Sequence, residues 1–203
     1  MRSRAFVFTF TVAVSVLRCQ TLPADCSRRT AEDYVAITRT ERAADYVRSL
    51  TGAHAYLYAG MLAGYDQWRN HPKEWGQGSL GFERRFGNDF AAHIVTSTLQ
   101  HGFAWGLGED NRYFNSGEHG FGHRLLYALS SPLLARHVDG SRSISVSALA
   151  GVAGGSLIEQ AWQPPSTSRM GNAARSFGLT FAFRAGLDFA REFAPRALGA
   201  LVR

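Results

Sequence analysis

The stretch GNAARSFGLTFAFRAGLDFAREF, residues 171–193, can be read in two ways, and the choice between them decides the fold. In steps of four, Ala174, Gly178, Ala182, Gly186 and Ala190 form an unbroken row of small side chains. Phe177, Phe181, Phe189 and Phe193 form an aromatic row beside it, with Ala185 in the gap. Residues four apart share one face of an α-helix, so the spacing predicts a helix with a small face and an aromatic face. In steps of two, Phe177, Leu179, Phe181, Phe183, Ala185, Leu187 and Phe189 alternate with Gly178, Thr180, Ala182, Arg184, Gly186 and Asp188. That is the pattern of an outer-membrane barrel strand, apolar towards lipid and polar towards the lumen.

The rest of the chain favours the helix. Tyr34, Ile37, Ala44, Val47 and Leu50 recur at helical spacing after a hydroxyl-and-acid start at Thr30–Asp33, which predicts an amphipathic helix to about Leu50. Residues 52–68 carry two rows four apart: Gly52, Tyr56, Gly60 and Gly64, and Ala55, Ala59 and Ala63. Gly60–Gly64 is a GxxxG, the small-xxx-small spacing that lets two backbones approach closely. Residues 83–107 read as a long helix with Phe86, Phe90, Ile94, Ser97 and His101 in one row, after a loop at 75–81. Residues 123–137 read as a helix kinked at Pro132, and 143–162 as a helix with Ser147, Gly151 and Gly155 in a row. A barrel needs about eight alternating segments, and only two or three are present. The expectation is therefore an all-α bundle of five or six helices with glycine and alanine seams. It is a single helical domain over residues 25–203, and the outer-membrane barrel is the alternative.

Composition sets the class. The 203 residues are 45% apolar and 19% charged, which excludes a disordered chain, and two cysteines exclude a disulfide scaffold. Met1–Arg4 is a short basic segment, residues 5–17 are free of charge, and Leu22-Pro23-Ala24 offers a cleavage point. This predicts an export signal over residues 1–24. Cys19 and Cys26 follow Arg18 and Asp25, which does not suit a lipoprotein signal. Removal of 1–24 takes away three arginines and no acid, lowering the formal charge from +6 to +3. The arginines are scattered without a basic stripe, so a nucleic-acid partner is not expected.

Glu109-Asp110-Asn111-Arg112-Tyr113-Phe114, Gly117-Glu118, His123-Arg124, residues 155–162 followed by Pro164, and Arg191-Glu192-Phe193 before Pro195 together resemble a family of uncharacterised exported bacterial proteins. That family has an acid-Asp-Pro-Arg-Tyr-Phe turn in mid-chain and a Glu-Phe-x-Pro ending. Asn111 replaces the proline, and Ala194-Pro195-Arg196 departs from the ending. The resemblance covers roughly residues 40–195. It implies a mostly helical exported protein and supplies no catalytic residues.

Candidate sites follow from residue type. Glu109, Asp110, Arg112 and Tyr113 form a turn in which an acid can cap a following turn and Arg112 can pair with a carboxylate. His93 and His101 lie eight apart on one helix face, where they could move a proton. His119 and His123 have the i, i+4 spacing of metal ligands, but Gly120 and Gly122 disfavour a helix there and no third ligand is evident. Glu159 and Asp188 fall within apolar helices and need partners, for which Arg124 or Arg184 is the expectation. No GxSxG, HExxH, P-loop or dinucleotide-binding fingerprint occurs, so no metal or cofactor is expected and an enzyme is disfavoured. Charge-free stretches at 49–65, 90–108 and 143–158 approach spanning length, but they carry histidine, threonine, serine and glutamine. The expectation is an exported cell-envelope protein, periplasmic or at the outer membrane, that associates with a membrane surface or with copies of itself. A periplasmic enzyme is the remaining alternative.

Overall fold

The computed structural model describes residues 34–167 and 170–194. The export signal, Cys19, Cys26, the helix start at Thr30 and Pro195 lie outside them. Within them the protein is all-α. Six α-helices run Arg39–Thr51 (α1), Ala53–Arg69 (α2), Gly78–Leu107 (α3), Phe121–Ser130 (α4), Val146–Glu159 (α5) and Met170–Phe193 (α6). The stretch that decides the fold is thus one continuous helix, and the strand reading of 177–189 fails.

Local chemistry sets the boundaries. Thr38, not Thr30, caps the first described helix: its hydroxyl accepts from the Glu41 N–H and the Glu41 carboxylate accepts from the Thr38 N–H. The left-handed Asn70 ends α2, and Gly108 ends α3 at a φ of 69°, a conformation that costs glycine nothing. The loop expected at 75–81 is shorter, because α3 already begins at Gly78. The helix expected to run to His137 ends early. Pro132 sits in a single 3-10 turn over Ser131–Leu133, and Leu134–Arg136 (β1) then pairs antiparallel with Arg142–Ile144 (β2) across the Asp139-Gly140 turn.

Helix α3 is the central element. Helices α1, α2 and α5 pack on it, and α6 packs on α4 and α5. The closest approach is that of α3 and α5. A Cβ built on Gly151 would lie 2.7 Å from the Gln100 Cβ, and one on Gly155 would lie 3.0 Å from the Thr96 Cα and collide with its hydroxyl. On α2 the alanine row is the seam: Ala55, Ala59 and Ala63 are fully buried. The GxxxG row beside it is not, since nothing lies within 4 Å of a Cβ on Gly60 or Gly64. The small row of α6 also faces outward, with Ala174, Gly178, Ala182 and Gly186 exposed.

The interior is unusually polar. The buried apolar side chains are mostly alanines, with Tyr58, Phe114 and Val152. Buried with them are Arg85, Asn88, Asp89, Glu109, Asp110, Glu159, Asp188 and Glu192. Large apolar side chains lie outside instead, among them Trp68 at 77% exposure, Leu126 at 69% and Trp105 at 57%. Such a core gains little from the hydrophobic effect, so hydrogen bonds and ion pairs must fix its geometry. Arg85 shows how this is done. It is fully buried without a carboxylate, and its guanidinium donates to the carbonyls of His71, Pro72, Gly76 and Gly81 and to the Gln67 side chain at 2.6–3.0 Å. This knot ties the α2–α3 connection to the first turns of α3.

Candidate functional site

The inner face of α6 is a polar row in steps of four: Ser176, Thr180, Arg184, Asp188 and Glu192. Thr180 donates to the Ser176 carbonyl at 2.8 Å and meets the Tyr58 hydroxyl of α2 at 2.9 Å. Asp188 pairs with Arg191 at 2.9 Å. Glu192 accepts from Tyr113 at 2.5 Å, from the Ser116 hydroxyl at 2.6 Å and from Arg124 at 2.8 Å. Burial pushes the Glu192 carboxyl up, but bonds from Ser116, Tyr113 and Arg124 outweigh it and hold the pKa below the usual value.

Between this row and α3 lies a cavity of about 180 Å³. His54 and Tyr58 line it from α2, His93, Gln100 and His101 from α3, and Arg184 and Asp188 from α6. The structure thus brings His93, His101 and Asp188 together, three residues singled out by sequence. It adds Arg184, which the sequence offered only as a partner for a buried acid, and His54, Tyr58 and Gln100, which sequence reasoning missed because the elements they face lie far along the chain.

The histidines are oriented by backbone carbonyls. His93 Nε2 lies 2.8 Å from the Ser49 carbonyl and His101 Nδ1 lies 2.8 Å from that of Ser97. A carbonyl only accepts, so those nitrogens carry the protons. His101 Nε2 then faces the Asp45 carboxylate of α1 at 3.5 Å. Burial pushes Asp45 up, but the hydrogen bond and charge of His101 bring it below its ordinary value. Burial, with the neighbouring His93 charge, lowers His54 to about 4, and burial lowers His93 as well, so both rings are neutral at pH 7. Burial raises Asp188 to about 6 despite Arg191, and raises the Tyr58 phenol to about 12.

The Glu109–Phe114 turn is a structural device. Glu109 caps α5: its carboxylate accepts from the N–H of Val146 at 3.0 Å and of Ser147 at 2.9 Å, and from the hydroxyls of Ser145 and Ser147. A carboxylate there satisfies orphan donors and meets the positive helix end. Burial pushes Glu109 up, yet these bonds hold it below the usual range. Asp110 exchanges backbone bonds with Arg136 and receives a bidentate Arg112 at 2.7–3.1 Å. Phe114 is buried between Tyr34 and the guanidinium groups of Arg112 and Arg136. Arg112 therefore pairs with a carboxylate as expected, while the cap comes from Glu109 and serves the distant α5. Tyr113 anchors Glu192.

Two pairing expectations fail. Arg124 binds Glu192, not Glu159 or Asp188. Glu159 has no cation and is held by Asn88 at 3.0 Å and Gln163 at 2.7 Å, because amides already surround it where α3 meets the end of α5. His119 and His123 are both exposed, and only His123 lies on a helix. Among the described residues no group of three His, Cys, Asp or Glu is placed to hold a metal ion. Comparison of the chain with protein-family models, with curated proteins and with solved structures finds no significant match.

Proposed function

We propose that this is an exported cell-envelope protein without a catalytic role, a helical body that sits against a membrane through its apolar exterior. The observation that carries this reading is the inverted distribution of side chains. Every helix presents large apolar groups outward: Val47 on α1, Met61 on α2, Phe103 and Trp105 on α3, Leu126 on α4, Leu157 on α5 and Phe189 on α6. Phe103 and Trp105 are two residues apart, so they point to opposite sides of their helix. Apolar groups of this size, exposed on every helix, mark a surface made to be covered, and lipid is the cover that an exported chain meets at the envelope. No helix of the described residues is long and apolar enough to cross a membrane. The form of association proposed is contact at the membrane surface, and the predicted signal over residues 1–24 would deliver the chain to the envelope.

Fractionation of cells expressing the full chain tests this. The protein should sediment with membranes, stay there through a high-salt wash, and leave on addition of detergent. Recovery in the soluble fraction before any wash would overturn the reading. Recovery as a defined soluble oligomer would replace lipid by copies of the chain as the cover of this surface.

A further inference from the structure

The inner row of α6 has one charged member whose side chain no protein group hydrogen-bonds. Thr180, Asp188 and Glu192 are each met by another side chain, as described above. The Arg184 side chain makes no hydrogen bond and no ion pair among the described residues; the Phe181 ring lies 6.0 Å from the guanidinium, and Asp188 and the Tyr58 phenol act on it only at longer range. Arg184 is half-buried, and burial pulls its pKa below the usual arginine value although Tyr58 and Asp188 act the other way. Arg85, which is more deeply buried, has five acceptors. The fold can thus satisfy a guanidinium by carbonyls and amides alone, and at Arg184 it supplies none. A half-buried cation left this way, lining a cavity, is open to acceptors from something else.

The cavity that Arg184 lines specifies what that must be. His54 and His93 are neutral at pH 7, His101 faces Asp45, and Asp188 is the one acid beside two arginines, paired with Arg191 and acting on Arg184 only at longer range. One positive charge remains uncompensated, which calls for one negative charge. A guanidinium fork matches the two oxygens of a carboxylate with parallel hydrogen bonds, and a doubly charged phosphate would bring a charge with no cation to meet it. Gln100 also lines the cavity and has no hydrogen bond among the described residues, so it offers a second donor. A volume of about 180 Å³ admits a group of a few heavy atoms. Gln100, His101 and Asn111 also line an apolar hollow of about 400 Å³ against α1, so a chain attached to that carboxylate would have an apolar wall beside it.

We propose that this cavity binds a monoanionic carboxylate, held by the fork of Arg184 with Gln100 as a second donor. The carboxylate belongs either to a free small acid or to a lipid head group.

Thermal unfolding of the purified full chain, with ligands at matched ionic strength, tests this. The probes are butyrate, octanoate, inorganic phosphate, and vesicles containing either phosphatidylserine or phosphatidylglycerol. Butyrate or octanoate should raise the melting temperature saturably, and phosphate should not. A rise with phosphatidylserine vesicles only would assign the carboxylate to a lipid head group, since phosphatidylglycerol has the same net charge without a carboxylate. Arg184→Met should weaken binding by at least about tenfold, the worth of one charge-assisted hydrogen bond. Arg39→Met, at the exposed start of α1, should not. Without ligand, Arg184→Met should melt at or above the wild type, because it removes a half-buried charge that no hydrogen bond meets. Absence of any carboxylate effect, an equal effect of phosphate or of phosphatidylglycerol, or an undiminished effect in Arg184→Met would overturn the proposal. So would an unliganded Arg184→Met that melts well below the wild type or fails to fold, which would make Arg184 structural.

Discussion

Helices α5 and α6 both carry small residues in steps of four, and they use them in opposite ways. On α5, Ser147, Gly151 and Gly155 are buried, the two glycines at contact distance from α3, and Ala148, Val152 and Ser156 beside them are buried too. On α6, Ala174, Gly178, Ala182 and Gly186 face outward, and nothing lies within 4 Å of a Cβ on Gly178 or Gly186. The spacing permits close approach in both. What differs is the neighbouring row. Beside the small residues of α5 there is nothing charged until Glu159, so the narrow face is free to turn inward. On α6 a different row holds Thr180, Arg184, Asp188 and Glu192. The interior offers that row Tyr58, Tyr113, Ser116 and Arg124, partners that the apolar exterior lacks. A charged row with partners inside outweighs a small row that merely could pack.

The largest effect expected from this contrast is at Gly155. Gly155→Ala puts a methyl group 3.0 Å from the Thr96 Cα, where backbone rather than a flexible side-chain end must yield. The loss should approach about 3 kcal/mol, the upper end for overpacking. The urea midpoint measures it. An unchanged midpoint would mean that α3 and α5 are further apart than described, and would erase the difference between the two helices.

The cap of α5 comes next. Glu109→Gln keeps the shape but removes the charge that meets Val146 and Ser147, and should cost about 1–2 kcal/mol at pH 7. The pH dependence has a definite sign. The Glu109 carboxyl is held below 4.5 in the fold. Its contribution is complete above that value and is lost as pH falls through the folded pKa. Glu109→Gln should therefore be least different from the wild type in acid. His54 acts earlier on the same limb. Its folded value of about 4 lies below the ordinary 6.5, so the unfolded chain takes up the proton first and stability falls as pH drops from 6.5 towards 4. His54→Gln should flatten that upper part of the acid limb and leave the part below pH 4 unchanged. Unfolding in urea at stepped pH separates the two.

These contrasts mark what was legible in the sequence. Helical period, the alanine row of α2, the Ser147–Gly155 row and the Asp110–Arg112 pairing are local, and spacing alone exposes them. The Thr38 cap, a threonine three residues before Glu41, is equally local, but the start was expected at Thr30, and residues 34–38 precede the helix. Partners far along the chain were not. Arg124 meets Glu192 across 68 positions, and Tyr113 meets it across 79. Nor does Arg85 announce itself, since its acceptors are mostly carbonyls and every residue carries one. The facing of α6 was illegible for the same reason. Its small and polar rows have equal periodicity, and only distant side chains decide which of them is buried.

The smallest expected effect is the most discriminating. Gly178→Ala adds a methyl group where nothing lies within 4 Å and removes a glycine from a helix interior. It should therefore stabilise the chain by about 0.5–1 kcal/mol. The measurement belongs in a dilute, monodisperse sample, with Gly186→Ala as its companion. If the gain holds at every protein concentration, the row is an outward face with room to spare and the contrast with α5 stands. If the gain disappears as concentration rises, a second copy reaches this row at a distance that only hydrogen allows, and α6 packs as α5 does, against a partner that is not its own chain.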